Sequence, residues 1–389
     1  MNLAIAEPRR LDWAILLPVG ALLLLGLVMV YSSSALLGAD RYGSEFFFLK
    51  RQAVRLLLGV AILLVVARID YHRLLAIAPW ALLGSVALLG ALVVLGGAGV
   101  RGANRWLSVA EFTLQPTEVA RCACVIYLAK LLDRKGDRIR SLRDGVLPAA
   151  GVLGVISLLI LKQPNLGSTI ALLVTGFLML HLAGARHRHL AILAGAGAAF
   201  ALIQVLRHPY MMDRVQGWLS HWSTGTVDAQ GKSWQLHQSI VALGSGGLLG
   251  EGPGRSLQKF FFLPDPHTDF IYAVIGEELG FVGTASVLAA YVFLFLRGLK
   301  IAGVAPDRFG FLLAAGLTLS LAVYVGMNIS VVTGIIPTTG LPLPFLSYGG
   351  SALVVNLGVI GVLLNIASQA RTGIRTPAQP SARKRAGVR

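Results

Sequence analysis

Lys259 and Asp269 are the two residues in the stretch QKFFFLPDPHTDFIYAVIGEELG (258–280) with the types to do chemistry. A carboxylate can accept a proton and an ammonium can face an anion. Pro264 and Pro266 close the loop that carries Lys259, and the pattern predicts an apolar helix with Thr268 and Asp269 in its first turn. An acid there is favoured by the helix dipole, so capping alone is one account of Asp269. The same helix puts Glu277 and Glu278 roughly 12 Å farther along its axis, inside what reads as hydrocarbon. Acids at that depth are costly and usually functional.

The elements that position these residues are membrane spans. The chain has 389 residues, of which 55% are hydrophobic and 13% charged, with a mean hydropathy of +0.72. Apolar runs of spanning length alternate with short charged loops, which predicts an all-α polytopic membrane protein. The runs fall at about 13–37, 52–66, 74–97, 116–132, 145–161, 167–184, 190–206, 269–296, 309–333 and 348–368, about ten spans in all. The first is too long for a signal-peptide core and lacks a cleavage site, so it is expected to be retained. Residues 13–370 form the transmembrane domain, between a short tail (1–12) and a basic, disordered tail (371–389).

The net charge of +16 comes from loop residues, not from one basic patch with interleaved aromatics, which argues against nucleic acid. Arg68, Arg73, the cluster Arg134 to Arg143, Arg186, Arg188, Arg297, Lys300, Arg308 and both tails share one side, predicting cytoplasmic termini. The final Arg383, Lys384 and Arg385 are placed to meet anionic membrane lipids. The loop at 207–268, between spans seven and eight, is then extracytoplasmic and too long to be a mere connection. Its glycines, from Gly244 to Gly254, fit no dinucleotide or phosphate-loop fingerprint, so no nucleotide is expected. They suit either close approach to a ligand or a tight re-entrant loop.

A second uncharged stretch, GIIPTTGLPLPFLSYGGS (334–351), holds Pro337, Pro342 and Pro344 and cannot be a regular helix. Irregular backbone at membrane depth survives only against protein or a wet cavity, so both stretches are expected to bound one site. Glu118 and Arg121, three apart on one helix face, can satisfy each other or meet substrate. Arg51 and Arg105 sit near membrane ends, where snorkelling is routine. His187 and His189 read as solvated. Phe260 to Phe262 suit either a lipid tail or an interfacial anchor. Cys122 and Cys124 point to different faces of one helix and can neither bridge nor bind metal.

With NRWL (104–107) and QPTE (115–118), these two long motifs resemble the SEDS family of cell-wall polymerases across nearly the whole chain. LGLVMVYSSS and PTTG are more similar to the division branch, FtsW, than to the elongation branch, RodA. The resemblance implies a peptidoglycan glycosyltransferase that polymerises lipid II at the outer face of the bacterial cytoplasmic membrane. It implies Asp269 as catalytic residue, and substrate contacts by Lys259, Arg214, Arg105, Arg51, Gln115, Glu118, Gln238 and Ser347. Supporting roles fall to Glu277, Glu278, Arg121, Pro337, Pro344, Gly349 and Gly350. Partners implied are a class B penicillin-binding protein, which is a transpeptidase, and other division proteins, and a divalent cation (Mg or Mn) is a candidate cofactor. The chain departs from the family at Asn165 (usually Asp), Arg121 (usually Lys) and Ala352 (often Ser).

In such a reaction a sugar hydroxyl displaces a lipid pyrophosphate with inversion, and one base suffices. Asp269 would take the proton while Lys259, Arg214, Arg105 or a cation faces the pyrophosphate. Pairing Asp269 with Glu277 in the manner of a glycosidase fails, because roughly 12 Å exceeds even the inverting separation. A lipid II flippase and a noncatalytic scaffold are the competing readings. The pattern Asn328 to Ser330 is a glycosylation sequon that a bacterial wall protein does not use.

Overall fold

The computed structural model describes residues 12–96, 98–100, 103–109, 112–224, 233–259, 263–264 and 266–372. Arg9, Arg10, Phe260 to Phe262 and the basic run 383–385 lie outside them. Where ten spans are predicted, ten helices stand among the described residues: α1 (Trp13–Tyr42), α2 (Phe47–Arg68), α3 (Arg73–Leu95), α4 (Pro116–Lys135), α5 (Leu147–Leu161), α6 (Leu166–Leu182), α7 (His187–Arg207), α10 (Ile271–Gly303), α11 (Arg308–Val332) and α12 (Gly350–Thr372). Two shorter helices, α8 (Pro209–Thr224) and α9 (Trp234–Ser245), occupy the long loop. Seven spans are long and apolar enough to cross a membrane unaided. α2 and α4 carry cations on their inner faces, and α6 is short.

α11 and α12 form the centre. Their most apolar windows are 72% and 83% buried, against 11% for α7, which lies at the rim. Central helices facing protein on all sides can carry polar groups, and Thr318, Ser320, Asn328, Asn356 and Asn365 are all buried there. At the end nearer the termini, His72 bridges Asp70 (2.8 Å) and Asp307 (3.1 Å). Burial opposes ionisation of Asp70, but hydrogen bonds from Gln369 and His72 outweigh it and hold the carboxyl down at about 2.

Sequence boundaries move in three places. α1 runs to Tyr42 because Gly43, at φ 66°, supplies the left-handed cap. The loop around Arg105 forms a small antiparallel sheet of β1 (Ala98–Val100), β2 (Ala103–Val109) and β3 (Phe112–Leu114), where no strand was expected. Asp269 is not in a helical turn: α10 opens at Ile271 after Phe270, and its first turn holds no acid. Asp269 lies in the irregular turn just outside the N-cap position, which Phe270 holds, and not in the first helical turn.

α10 is also broken. Gly280 has φ 66° and ψ −164°, values open to glycine, which divide it into 271–279 and 281–303. A break inside hydrocarbon exposes carbonyls on one side and N–H groups on the other. The glycine-rich segment before it satisfies both. The N–H groups of Glu251 and Gly252 donate to the carbonyls of Glu277 and Glu278, at 3.0 and 3.1 Å, and those of Phe281 and Val282 donate to Gly247 and Leu248, at 2.9 and 3.1 Å. Such close backbone approach excludes side chains. A Cβ on Gly250 would sit 2.2 Å from the Glu278 carbonyl oxygen, and one on Gly246 1.9 Å from that of Gly276. Gly250→Ala, which also meets a φ of 82°, is expected to lower the thermal unfolding midpoint of the solubilised protein sharply. Leu248→Ala at the same turn, on a side chain that is 72% exposed, should leave it nearly unchanged.

Candidate active site

Asp269 reaches the site on a turn fixed from two sides. Asn328, inside α11, donates through Nδ2 to the carbonyls of Asp269 (2.8 Å) and Leu341 (2.7 Å). Ser347 donates through Oγ to the carbonyl of Thr268, and its Oγ accepts from the N–H of Leu343 at 2.8 Å. The PTTGLPLPFLSYGG segment is thereby sewn to HTDF, with Phe345 held at φ 69° and the carbonyl of Pro344 accepting from Tyr291. His267 lies against the rings of Phe48 and Tyr348. Pro337 starts the same irregular run, in which Gly340 leaves room for the carboxylate: a Cβ there would be 3.3 Å from Asp269 Oδ2 and 3.9 Å from Arg214 Nη1.

These elements enclose a cavity of about 760 Å³ at the end of the bundle away from the termini. Arg51, Arg55, Arg105, Arg214, Gln115, Asp269, Gly349 and Gly350 all line it. Asp269 is the one carboxylate among the described lining residues, against four arginines. Two of those arginines brace walls. Arg105 donates to the carbonyls of Gln163 (3.1 Å) and Pro164, and Arg214 donates to the carbonyl of Thr338 (2.8 Å) and to the Tyr210 hydroxyl. Burial pushes the Arg105 guanidinium below its ordinary value and Arg214 adds to that, while Tyr210 and Asp269 pull the other way.

Other residues picked out by sequence lie elsewhere. Lys259 does not line the cavity: its Nζ pairs with Glu278 at 3.0 Å and donates to Ser32 Oγ (3.1 Å) and the Gly254 carbonyl (2.6 Å). Glu278 also accepts from Ser32 and from the N–H of Gly254, and Glu277 accepts from Ser256 and the N–H of Leu257. The two acids thus fasten the loop at 254–259 to α10 and lie away from the cavity. A cation drawn to a buried acid is not available to a phosphate, so Lys259 acts here as a tether. Glu118 is 1% exposed and pairs with Arg121 at 3.0 Å, deep beside α11 and α12, outside the cavity lining. Gln238 is buried on the inner face of α9, also outside it, as is Ser347.

The departures at Asn165 and Arg121 have structural reasons. Asn165 caps α6, its side-chain oxygen accepting from the N–H of Ser168 at 3.2 Å, a task asparagine does as well as aspartate. Arg121 uses its fork on Glu118, Ser320 (2.9 Å) and Asn356 (2.6 Å) and stacks on Tyr324, which one ammonium cannot reproduce. His189 is 5% exposed, so the expectation that it is solvated is corrected; His187 is exposed.

Sequence reasoning missed Asn328, set aside as a sequon, although a buried amide in an apolar span was itself the signal. It also missed Arg55, one turn from Arg51 on α2. For the divalent cation, no cluster of three or more His, Cys, Asp or Glu side chains that could hold a metal occurs among the described residues. One carboxylate among four arginines is a poor donor set for a protein-held ion, and no step below is routed through one.

Residues 12–372 match the family model described as cell cycle protein, FtsW/RodA/SpoVE. The chain is 39% identical over 370 residues to a probable peptidoglycan glycosyltransferase FtsW of Geobacter sulfurreducens, covering 95% of this chain and 98% of that one. It is 40% identical over 354 residues to stage V sporulation protein E of Bacillus subtilis, covering 90% and 95%. A solved chain from a peptidoglycan synthase complex that coordinates polymerization and crosslinking superposes with a TM-score of 0.75 at 29% identity, covering 95% of this chain and 99% of that chain. A multi-pass bundle, a cavity with a single acid among arginines and this full-length similarity lead to one assignment: the chain belongs to the SEDS (FtsW/RodA/SpoVE) family of peptidoglycan glycosyltransferases.

Proposed function

We propose that this chain polymerises lipid II into glycan strands during septal wall synthesis, at the outer face of the cytoplasmic membrane, with both termini in the cytoplasm. The observation that carries the reading is the cavity in which Asp269 is the single described carboxylate and faces a surplus of guanidinium groups. A glycosyl transfer with inversion needs one base and a place for a doubly phosphorylated leaving group. The acceptor sugar hydroxyl attacks the anomeric carbon of the donor, the bond from that carbon to the pyrophosphate oxygen breaks, and Asp269 takes the hydroxyl proton. The cavity cations hold the departing lipid pyrophosphate. Ordering both substrates in one water-poor cavity supplies the remainder of the rate.

Support for the septal branch comes from the FtsW relative and from LGLVMVYSSS and PTTG in this chain. The Lys and Arg bias of the loops supports the orientation. A class B penicillin-binding protein is the proposed partner, in keeping with the synthase complex to which a solved relative belongs. The test is reconstitution in liposomes with lipid II and a divalent cation, with and without that transpeptidase, scoring product length on gels. Glycan strands are expected, longer with the partner. Lipid scrambling without any polymer in either preparation would replace this reading with transport.

A further inference from the structure

Three consecutive carbonyls of the turn that carries Asp269 each accept from a donor elsewhere in the chain. That of His267 accepts from the N–H of Tyr348 at 2.8 Å, that of Thr268 from Ser347 Oγ, and that of Asp269 from Asn328 Nδ2 at 2.8 Å. Tyr348 and Ser347 belong to the irregular segment before α12, so their bonds join two loops to each other. Asn328 belongs to α11, one of the two central helices, so its bond joins the turn to a buried span. The second amide proton of Asn328 goes to the carbonyl of Leu341 at 2.7 Å. Leu341 follows Gly340, where a Cβ would be 3.3 Å from Asp269 Oδ2. One side chain therefore holds both the backbone that carries the carboxylate and the backbone that faces it. Both acceptors are carbonyl oxygens, a task that suits the two donors of an amide nitrogen. At 1% exposure an amide is costly unless its protons are used, and a leucine of similar size would enter that span more cheaply.

We infer that Asn328 is a positioning residue for the general base: its two hydrogen bonds set the aim of the Asp269 carboxylate and its separation from the wall at Gly340 and Arg214. Asn328 is not among the described residues that line the cavity, so it acts through Asp269 and not on the substrate. The inference rests on the polymerase reading above and deepens it, because only a base needs such control. A base must stand within hydrogen-bond reach of the proton it takes, and a misplacement of about 1 Å can cost roughly 100-fold in rate. Substrate affinity, spread over the whole cavity, is far less sensitive to the aim of one carboxylate.

The test measures turnover on lipid II, lipid II affinity and thermal midpoint for the full chain in nanodiscs, in the wild-type and Asp269→Asn backgrounds. Asn328→Leu, close in size and without donors, should lower turnover about 10- to 100-fold, with affinity within about twofold of wild type. In the Asp269→Asn background, where residual turnover is read in long incubations, the same substitution should cost nothing further. A residue that acts through the base has nothing left to position there. Asn328→Gln, which keeps the amide one methylene farther out, should fall between wild type and Asn328→Leu at a wild-type midpoint. An equal fold-loss in both backgrounds, or a loss of affinity that matches the loss of turnover, would make Asn328 a structural residue and overturn the inference, leaving the polymerase reading intact. So would wild-type turnover in Asn328→Leu. Should Asn328→Leu fail to assemble, the same comparison made with Asn328→Gln decides between these outcomes. Wild type that makes no glycan would remove both readings.

Discussion

Asp269→Asn should abolish glycan synthesis while leaving lipid II binding in place. The substitution keeps the size of the side chain and removes only its ability to take a proton, so the loss expected is that of a general base, about 10²–10⁴-fold in turnover. The turn is held in part by its main-chain carbonyls, which accept from Asn328 and Ser347 and are unchanged in the variant, so the thermal midpoint measured alongside should stay near wild type. The four cavity arginines, to which the proposed function assigns the pyrophosphate, keep their side chains in this variant. Polymer yield from lipid II, measured beside a binding isotherm, separates the two effects. Polymerisation at wild-type rate would leave the acceptor hydroxyl without its base and end the mechanism proposed here. A fall in binding equal to the fall in rate would make Asp269 a substrate contact instead.

The largest effect on stability is expected at Glu118. Its carboxylate and Arg121 are 1% and 2% exposed, three residues apart on α4, and form a buried 3.0 Å pair. Glu118→Leu strands a buried guanidinium and should cost about 3–5 kcal/mol. Removing both charges, as in Glu118→Leu with Arg121→Leu, should recover much of that loss, because two well-packed leucines carry no desolvation penalty. Thermal midpoints of the two single variants and the double variant in detergent form the cycle. Strict additivity would mean that the pair is not coupled. A stability role separates Glu118 from the cavity residues, whose substitution should change rate before it changes folding.

How far the sequence reaches depends on the length scale of the signal. Spans are legible because twenty or so apolar residues in a row have few other uses, and the ten helices fall close to where hydropathy puts them. Pro337, Pro342 and Pro344 likewise announce an irregular segment, which the structure brings to HTDF. Contacts between distant segments are another matter. The family resemblance makes Lys259 a substrate cation, yet Glu278, almost twice as far along the chain as Asp269, claims it. Nothing local distinguishes those two acids as partners. Arg55 goes unremarked in the sequence, because only the approach of α12, almost three hundred residues later, brings it to the cavity wall. Asp269 reads as part of the first helical turn because hydropathy does not resolve a helix start to within two residues, and α10 opens at Ile271.

That broken helix bears on how the protein is made. At 1.5 Å per residue, 281–296, the part before Arg297, extends roughly 24 Å, short of a bilayer core of about 30 Å, so 271–279 with its two acids supplies the rest. The insertion machinery therefore meets a span interrupted by two acids and a glycine, whose broken backbone is satisfied by the strap at 247–252. The helix that follows the Asp269 turn is thus finished by hydrogen bonds from another segment of the chain, and its continuity is a product of folding and not of its own residues.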